Sequence, residues 1–491
     1  SSGVKFLNID SIVTIESFVP EGKKSPQTRV NDLLKRANGD ILAGTRSGLK
    51  LYKADPQNEN HPFLFHKKLL EQYQITSMVE DRSGIVWAGT RNNGLFKLDF
   101  TPAKFNAFSA ENNAGLPDTI ASYNFQSVFQ DKEGYIWLGT LNKGVCKYHP
   151  QKKTLRRYIL DKKAASKNED AVYCLYQDHT GKLWAGTSHG LYYYFPGTGE
   201  FIAYDGGESP KVKNLLNNNK VYTIAEDFDD NLWIGTQFGL YRDDGSRIIS
   251  YFQDPEDPDG LYSDKIHALC PGDEGNLWVG TPAGLNMWDR ETGRFSRLHI
   301  ETQNPGFNNI SVISLDVDNE GRILAGTRSG IWVIPEANEA PFLIAGNDSL
   351  NNDLIKSVVT DARNNIWVGT NKGISAIYSD GKVHNFDVFD GLPGYVYNEN
   401  SVFRNRSGTL FFGGTDGLTW FHPDSIRYNM TTPPLAFTDI RLIRRGEEIK
   451  RFWPERESLE IKYRPFTNIR VEFSALEFTN PEKNRYKVFL Q

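Results

Sequence analysis

The chain has 491 residues, of which 39% are hydrophobic and 24% charged, and its formal net charge is −5 at pH 7. Nucleic-acid-binding proteins usually carry a strong excess of lysine and arginine, so this balance argues against that class. Three cysteines (Cys146, Cys174 and Cys270) supply neither a disulfide framework nor a CxxC metal pair. The 43 glycines and 22 tyrosines instead predict many short strands joined by tight turns.

The first predicted elements are strands at residues 2–7 and 12–18. The first of them reads Ser-Gly-Val-Lys-Phe-Leu and is similar to Ser-Gly-Leu-Lys-Leu at residues 47–51. The later copy lies in the second half of a repeating unit that continues down the chain. We therefore expect the chain to begin inside such a unit, as a segment of a longer protein.

The repeating unit is centred on the motif Trp-x-Gly-Thr, in which leucine or phenylalanine replaces the tryptophan in three copies. Intervals of 43 to 50 residues separate successive motif glycines, a period typical of β-propeller blades or of a solenoid. The chain lacks a sustained 3.6-residue periodicity, which disfavours a helical solenoid. The motif glycines are residues 44, 89, 139, 186, 235, 280, 326, 369 and 414.

Each copy predicts the four strands of a propeller blade. An apolar strand is followed by an Asp-x-x-Gly turn, the Trp strand, a third strand and a looser fourth strand. The aspartate can cap the turn, and the tryptophan can fill the space between neighbouring blades. Because the turn lacks the dense ligand spacing of a calcium loop, we interpret the motif as structural.

Nine copies are too many for one ring of four to eight blades. We expect residues 1–103 to form the last two and a half blades of an N-terminal propeller and residues 104–432 to form a complete seven-bladed propeller. The blade at Gly414 has no obvious fourth strand. Residues 104–108 are expected to supply that strand as a non-covalent clasp.

The repeat stops after Pro433-Pro434. Strands are predicted at residues 435–442, 459–463, 469–473 and 485–490, where polar turns separate alternating patterns. Residues 433–491 are therefore expected to be the first strands of an immunoglobulin-like β-sandwich. The predicted fold class is all-β throughout.

The motif Asp-x-x-Gly-x-[Ile/Leu]-Trp-x-Gly-Thr-x-x-Gly-Leu resembles the two-component regulator propeller repeat. Residues 433–440 and 473–486 resemble the immunoglobulin-like domain that follows such propellers in sensors of Bacteroides-type bacteria. The resemblance implies the periplasmic ectodomain of a hybrid two-component system, with two seven-bladed propellers and a sandwich. It further implies a membrane helix, histidine kinase, receiver and DNA-binding region in the full chain, and control of glycan-utilisation genes by a bound oligosaccharide.

These implications fix the expected partners and location. We expect an oligosaccharide ligand, a homodimer formed through the immunoglobulin-like domain, and no nucleic acid bound by this segment. No run of about 18 apolar residues occurs in the sequence, so the membrane tether is expected in sequence beyond this segment. The expected location is the periplasm.

Propeller topology predicts where a ligand binds. The start of each first strand and the Gly-Thr-x-x-Gly loop lie on the same face of the disk, around the mouth of the central channel. Aromatic faces and planar hydrogen-bonding groups suit sugars. The alternative is that the residues at these positions are ordinary solvated loop residues. The best candidates are Arg328, Asn124 and Tyr397, followed by Tyr123, His189, Gln237, His267, Asn371, Asn398 and Asp416.

The sequence shows no paired-carboxylate signature, G-x-S-x-G nucleophile motif or phosphate loop. We therefore expect a sensory binding module with no catalytic residue, cofactor or metal. Two alternatives stay open. One is a propeller-type polysaccharide lyase or glycosidase, and the other is a non-catalytic protein-interaction scaffold.

Overall fold

The computed structural model describes two compact units, Ala103–Arg427 and a unit comprising Ser1–Pro102 and Tyr428–Gln491. Strands dominate both, with 3-10 turns at Val388–Asp390 and Pro423–Ser425. The residues described are 5–8, 11–14, 30–54, 63–100, 104–109, 124–161, 165, 169–204, 219–257, 259–272, 275–298, 310–335, 341–345, 349–426, 434–444, 447–452, 465 and 467–475.

The segment Ser1–Pro102 contains a hairpin, a four-stranded sheet and a three-stranded sheet, all antiparallel. The hairpin pairs β1 with β2, the larger sheet has the order β3-β4-β5-β6, and the smaller has the order β7-β8-β9. Its place at the end of a longer propeller stays a prediction. The strands are β1 (Lys5–Asn8), β2 (Ser11–Thr14), β3 (Val30–Lys35), β4 (Ile41–Thr45), β5 (Gly48–Ala54), β6 (Phe63–Leu69), β7 (Ile75–Glu80), β8 (Val86–Thr90) and β9 (Leu95–Leu98).

The described residues of Ala103–Arg427 form seven four-stranded antiparallel sheets. Six of them consist of four consecutive strands, beginning at β11, β15, β19, β23, β27 and β31. The strands are β10 (Asn106–Phe108), β11 (Phe125–Gln130), β12 (Ile136–Thr140), β13 (Val145–His149), β14 (Thr154–Tyr158), β15 (Val172–Gln177), β16 (Leu183–Thr187), β17 (Gly190–Phe195), β18 (Glu200–Ala203), β19 (Val221–Glu226), β20 (Leu232–Thr236), β21 (Leu240–Asp243), β22 (Ile248–Tyr251), β23 (Ala268–Pro271), β24 (Leu277–Thr281), β25 (Gly284–Trp288), β26 (Phe295–Leu298), β27 (Val312–Val317), β28 (Ile323–Thr327), β29 (Gly330–Ile334), β30 (Phe342–Ala345), β31 (Ile355–Thr360), β32 (Ile366–Thr370), β33 (Gly373–Ile377), β34 (Val383–Phe386), β35 (Tyr397–Arg404), β36 (Leu410–Gly414) and β37 (Leu418–Phe421).

These sheets are the blades of a closed ring. The first strand of each blade lies beside the first strand of the next, from β11 round to β35, and β35 lies beside β11. The unit is therefore a seven-bladed β-propeller, and the predicted fold class is confirmed.

The seventh blade is completed from the other end of the unit. Its strand order is β10-β37-β36-β35, so the strand at Asn106–Phe108 pairs antiparallel with β37. The predicted clasp thus lies where the sequence places it. Phe108 anchors it, because its ring packs 4.8 Å from Tyr148 and 5.9 Å from Phe125 in the first blade, between ring centroids.

The Trp-x-Gly-Thr motif packs the blades together. Trp367 is fully buried, and its ring lies 4.8 Å from that of Phe421 in the next blade. Its indole Nε1 donates a hydrogen bond to Asp361 Oδ2 at 3.0 Å, while Oδ1 of Asp361 accepts from the turn backbone. Thr370 donates its hydroxyl to the carbonyl of Gly373 at 3.0 Å. The motif therefore joins the turn, the buried tryptophan and the following loop.

The C-terminal segment contains a three-stranded antiparallel sheet formed by β38 (Leu435–Arg444), β39 (Glu447–Phe452) and β40 (Thr467–Ala475), in the order β39-β38-β40. Two predicted strands fall within β38 and β40, whereas β39 was not predicted. The strands predicted at residues 459–463 and 485–490 lie outside the described residues, and the sandwich stays a prediction.

Candidate functional site

A recurring β-bulge shapes the inner wall of the ring. In β11, β15, β19, β27 and β31 the pairing register shifts between the first and third residues of the inner strand. A bulge re-aims a side chain that would otherwise follow the strand's alternation. Every bulged residue stands thirteen positions before its motif glycine, and His267 has the same spacing in the fourth blade. This set comprises Gln126, Tyr173, Tyr222, His267, Ile313 and Lys356.

The seventh inner strand carries a larger irregularity. Its register shifts between Tyr397 and Val402, and Asn400 has a positive φ of 54°. The side-chain amide of Asn400 donates a hydrogen bond of 2.8 Å to the carbonyl oxygen of His267. These residues belong to the seventh and fourth blades, so the bulged segment reaches across the interior of the ring.

Two tyrosines form an aromatic wall beside this segment. The ring centroids of Tyr173 and Tyr222 are 5.3 Å apart, and the Nζ atom of Lys265 lies 5.3 Å from the Tyr222 ring. Burial raises the pKa of both phenols, and Tyr173 and Glu399 raise that of Tyr222 further. Both hydroxyls therefore stay protonated at neutral pH and can donate hydrogen bonds.

An ion pair joins the bulged segment to the sixth blade. The Nζ atom of Lys356 is 2.8 Å from Glu399 Oε1. Burial alone would raise the pKa of Glu399, but the hydrogen bond and charge of Lys356 outweigh that effect and lower it. Glu399 is therefore a carboxylate with acceptor capacity left for hydroxyl groups.

His267 contributes an acceptor without a partner. Its Nδ1 lies 3.1 Å from the carbonyl oxygen of Val312, which can only accept, so Nδ1 carries the proton. Nε2 is buried and has no hydrogen-bond partner among the described residues. Burial, followed by the charge of Lys265, lowers the pKa of His267, and the charge of Arg328 adds to this. A neutral imidazole therefore presents an unused lone pair at Nε2.

We call the set Tyr173, Tyr222, Lys265, His267, Lys356 and Glu399 the channel-mouth cluster. It combines aromatic faces, hydrogen-bond donors and acceptors along the inner strands of the ring, which is the composition of a site for a polar ligand with apolar faces. Among the described residues, no group of three or more His, Cys, Asp or Glu side chains could hold a metal ion. Burial raises the pKa of the Cys146 and Cys174 thiols to about 12, which makes both poor nucleophiles.

The structure joins several of the predicted ligand residues. Asn398 donates from Nδ2 to Asn124 Oδ1 at 2.9 Å, so the first and seventh blades meet there. Arg328 is exposed, in the loop after β28, and its charge reaches His267. His267 belongs to the channel-mouth cluster. The other three predicted residues lie beside it: Asn124, Asn398 and Arg328.

Other predicted residues lie in the loops after the Trp strands. His189 contacts its neighbour Ser188, 2.8 Å from Nδ1 to Oγ, and Asp416 accepts from the hydroxyl of Thr415 at 2.8 Å. The backbone amide of Gln237 donates to the carbonyl of Lys220. Asn371 occupies the equivalent loop of the sixth blade and is half-buried. The hydrogen bonds of His189 and Asp416 are thus to adjacent residues, whereas Gln237 bonds to the residue before the inner strand β19.

The structure places Tyr397 in the core of the seventh blade and not at the channel mouth, where the sequence predicts it. Only 2% of its surface is exposed, and its hydroxyl is bonded to Thr419 at 2.8 Å inside the seventh blade. The long bulge after it leaves Tyr397 as the buried first residue of the strand. Tyr123 lies outside the described residues.

Sequence reasoning missed Gln126, Lys265, Lys356 and Asn400 as candidates and treated Glu399 only as one of many carboxylates. A count of thirteen residues back from the motif glycine would have found Gln126 and Lys356. Asn400 had no such indication, since the long bulge interrupts the repeat spacing.

Comparisons with known proteins agree with this architecture. The two-component regulator propeller family matches residues 69–92, 119–142, 166–189, 215–238 and 349–372. The chain thus carries repeats of this family within a β-propeller fold. Among the described residues, no helix is long and apolar enough to cross a membrane.

Two solved structures from B. thetaiotaomicron share the fold. Both are extracellular domains of proteins assigned as hybrid two-component systems. One has a TM-score of 0.64 at 22% identity and covers 91% of this chain and 64% of that domain. The other has a TM-score of 0.54 at 21% identity and covers 86% of this chain and 56% of that domain. Histidine kinase P4 of Formosa agariphila is 28% identical over 140 residues, which are 27% of this chain and 10% of the kinase. The chain thus spans less than two thirds of each of these relatives.

Proposed function

We propose that this chain is the periplasmic sensor region of a hybrid two-component signalling protein, and that it binds an oligosaccharide to control glycan-utilisation genes. The proposal rests on the channel-mouth cluster, which places an aromatic pair, a lysine-bound carboxylate and an unpartnered imidazole nitrogen around one opening. Tyrosine faces can pack on the C–H surface of a sugar, while Glu399 and His267 Nε2 can accept its hydroxyl protons.

The signalling role is supported by the matched repeats and by the similarity to a histidine kinase. The matched family is a two-component regulator propeller, and the matched relative is a histidine kinase. We therefore propose a kinase and a membrane segment in the full-length protein. A sensor of this kind needs a ligand that binds one arrangement of its domains better than another. We propose that ligand binding repositions residues 433–491, the predicted sandwich, within a homodimer formed through that segment. Small-angle scattering profiles that superimpose with and without ligand would contradict this step.

Binding without turnover is the better interpretation of the cluster. A glycosidase needs a carboxylic acid with a raised pKa as its proton donor, paired with a second carboxylate at a fixed separation. Glu399 has a lowered pKa and is held by Lys356. Its environment is therefore the opposite of the one a glycosidase acid requires.

Titration calorimetry against an oligosaccharide panel tests the proposal. We expect one class of oligosaccharide to bind, and the Tyr222→Ala variant to lose about tenfold or more in affinity. Phe228→Ala is the matched control, because Phe228 is 74% exposed and lies in the turn between β19 and β20, at the other end of the blades. Equal losses in both variants, no binding to any sugar, or new reducing ends or unsaturated products would overturn the proposal.

A further inference from the structure

The positive charges of the channel mouth are unevenly compensated. Lys356 is neutralised by Glu399 at 2.8 Å. Lys265 and Arg328, from the fourth and fifth blades, have no carboxylate within ion-pair distance among the described residues. The carboxylate of Asp264, next to Lys265, accepts a hydrogen bond from the backbone amide of Gln253. The mouth therefore keeps two cations whose charges are not cancelled by a direct partner.

Both cations are close to the same imidazole. Arg328 directly follows Thr327, which pairs with Val312, and the carbonyl oxygen of Val312 lies 3.1 Å from His267 Nδ1. The charges of Lys265 and Arg328 both lower the pKa of His267. Lys265 also lies 5.3 Å from the centroid of the Tyr222 ring. Lys265 thus borders the aromatic wall, and Arg328 lies in the fifth blade, whose backbone holds the His267 ring.

Unused hydrogen-bonding atoms lie beside these cations. His267 Nε2 is buried without a partner, and so is the hydroxyl oxygen of Ser311 among the described residues. Ser311 immediately precedes Val312, whose carbonyl holds the other nitrogen of His267. A buried polar atom left unpaired destabilises the unbound protein, so a ligand that pairs with both atoms gains affinity here.

We propose that the sugar bound at this mouth carries an anionic substituent, a carboxylate or a sulfate ester, which lies between Lys265 and Arg328 beside His267. Hydroxyl groups next to that substituent donate to His267 Nε2 and bond with Ser311, and the sugar ring packs on Tyr222. Arginine and lysine favour carboxylate and sulfate oxygens because hydrogen bonds between ionised groups are stronger than neutral ones. This inference rests on the proposed function and names its ligand class.

Calorimetry with three probes distinguishes the possibilities: a uronic acid oligosaccharide, a sulfated oligosaccharide with a neutral backbone, and an uncharged oligosaccharide. We expect at least one charged probe to bind more tightly than the uncharged one. Lys265→Met and Arg328→Gln should each weaken that binding about tenfold or more. Lys382→Met is the matched control, since Lys382 is exposed in a turn beside Asp380, and it should leave the affinity unchanged.

Salt dependence gives a second readout that needs no variant. Raising the salt concentration from about 0.05 M to about 0.5 M should weaken binding of the charged probe several-fold and leave any uncharged probe nearly unaffected. Uncharged sugars that bind as well as charged ones, through Tyr222 and independently of Lys265 and Arg328, would overturn this inference and leave the proposed function standing. Failure of all three probes to bind would overturn both.

Discussion

The closing strand of the propeller provides a sharp test of how the ring is held together. Phe108 is 1% exposed and lies in a core with Phe125, Tyr148 and Leu418, which come from the first and seventh blades. A Phe→Ala change at so buried a site loses the transfer free energy of the ring and leaves a cavity, about 3–5 kcal/mol in total. We therefore expect Phe108→Ala to lower the free energy of unfolding of the propeller by about 4 kcal/mol.

Equilibrium denaturation combined with hydrogen exchange measures this effect. Exchange should quicken in Asn106–Phe108 and in Leu418–Phe421, because the two strands pair with each other. Phe342→Ala is the control: Phe342 is 44% exposed on the outer strand of the fifth blade, and its loss should cost less than about 1 kcal/mol. A Phe108→Ala protein as stable as the control, with unchanged exchange in both strands, would refute the clasp.

Asp361→Ala should cost about 2–4 kcal/mol in chemical denaturation, because it leaves the buried indole N–H of Trp367 unpaired; a cost below about 1 kcal/mol would contradict this. Gly373→Ala should destabilise by at least about 3 kcal/mol, since φ is 107° and a Cβ would lie 2.0 Å from a carbonyl oxygen. Gly381→Ala, with φ of 80° and open space, should cost only about 1 kcal/mol. The hydrogen bond to Glu226 raises the pKa of His179 above its ordinary value of 6.5. The stability that this hydrogen bond adds to the fold is therefore fully present below pH 6.5 and is lost as the pH rises through the raised pKa. An NMR titration giving a pKa at or below 6.5 would contradict that direction.

The ring could be predicted from the sequence because the motif glycines recur at the regular spacing of propeller blades. Each motif glycine marks a place where neighbouring backbones approach, and each tryptophan fills the gap to the next blade. The clasp was also predictable, since a blade without a fourth strand exposes an unpaired edge. What spacing did not reveal is the bond from the turn aspartate to the tryptophan indole, which depends on side-chain rotamers.

The channel mouth was only partly predictable. Tyr173, Tyr222 and His267 could be located because they keep the repeat spacing. Asn400 and Glu399 could not, because the bulge in β35 inserts residues that the other blades lack. The same insertion explains why Tyr397 was predicted to lie at the channel mouth. The sequence places it at the start of the inner strand, but in the structure it is buried in the core. The pairing of Lys356 with Glu399 joins two blades and depends on that bulge.

A crystal structure of the protein with a bound oligosaccharide tests the binding site most directly. We expect density for a sugar ring against Tyr173 and Tyr222, with a hydroxyl within about 3 Å of His267 Nε2 and another near Glu399. A sugar bound on the outer strands of the blades, with the mouth unchanged, would contradict the assignment of ligand recognition to the channel-mouth cluster.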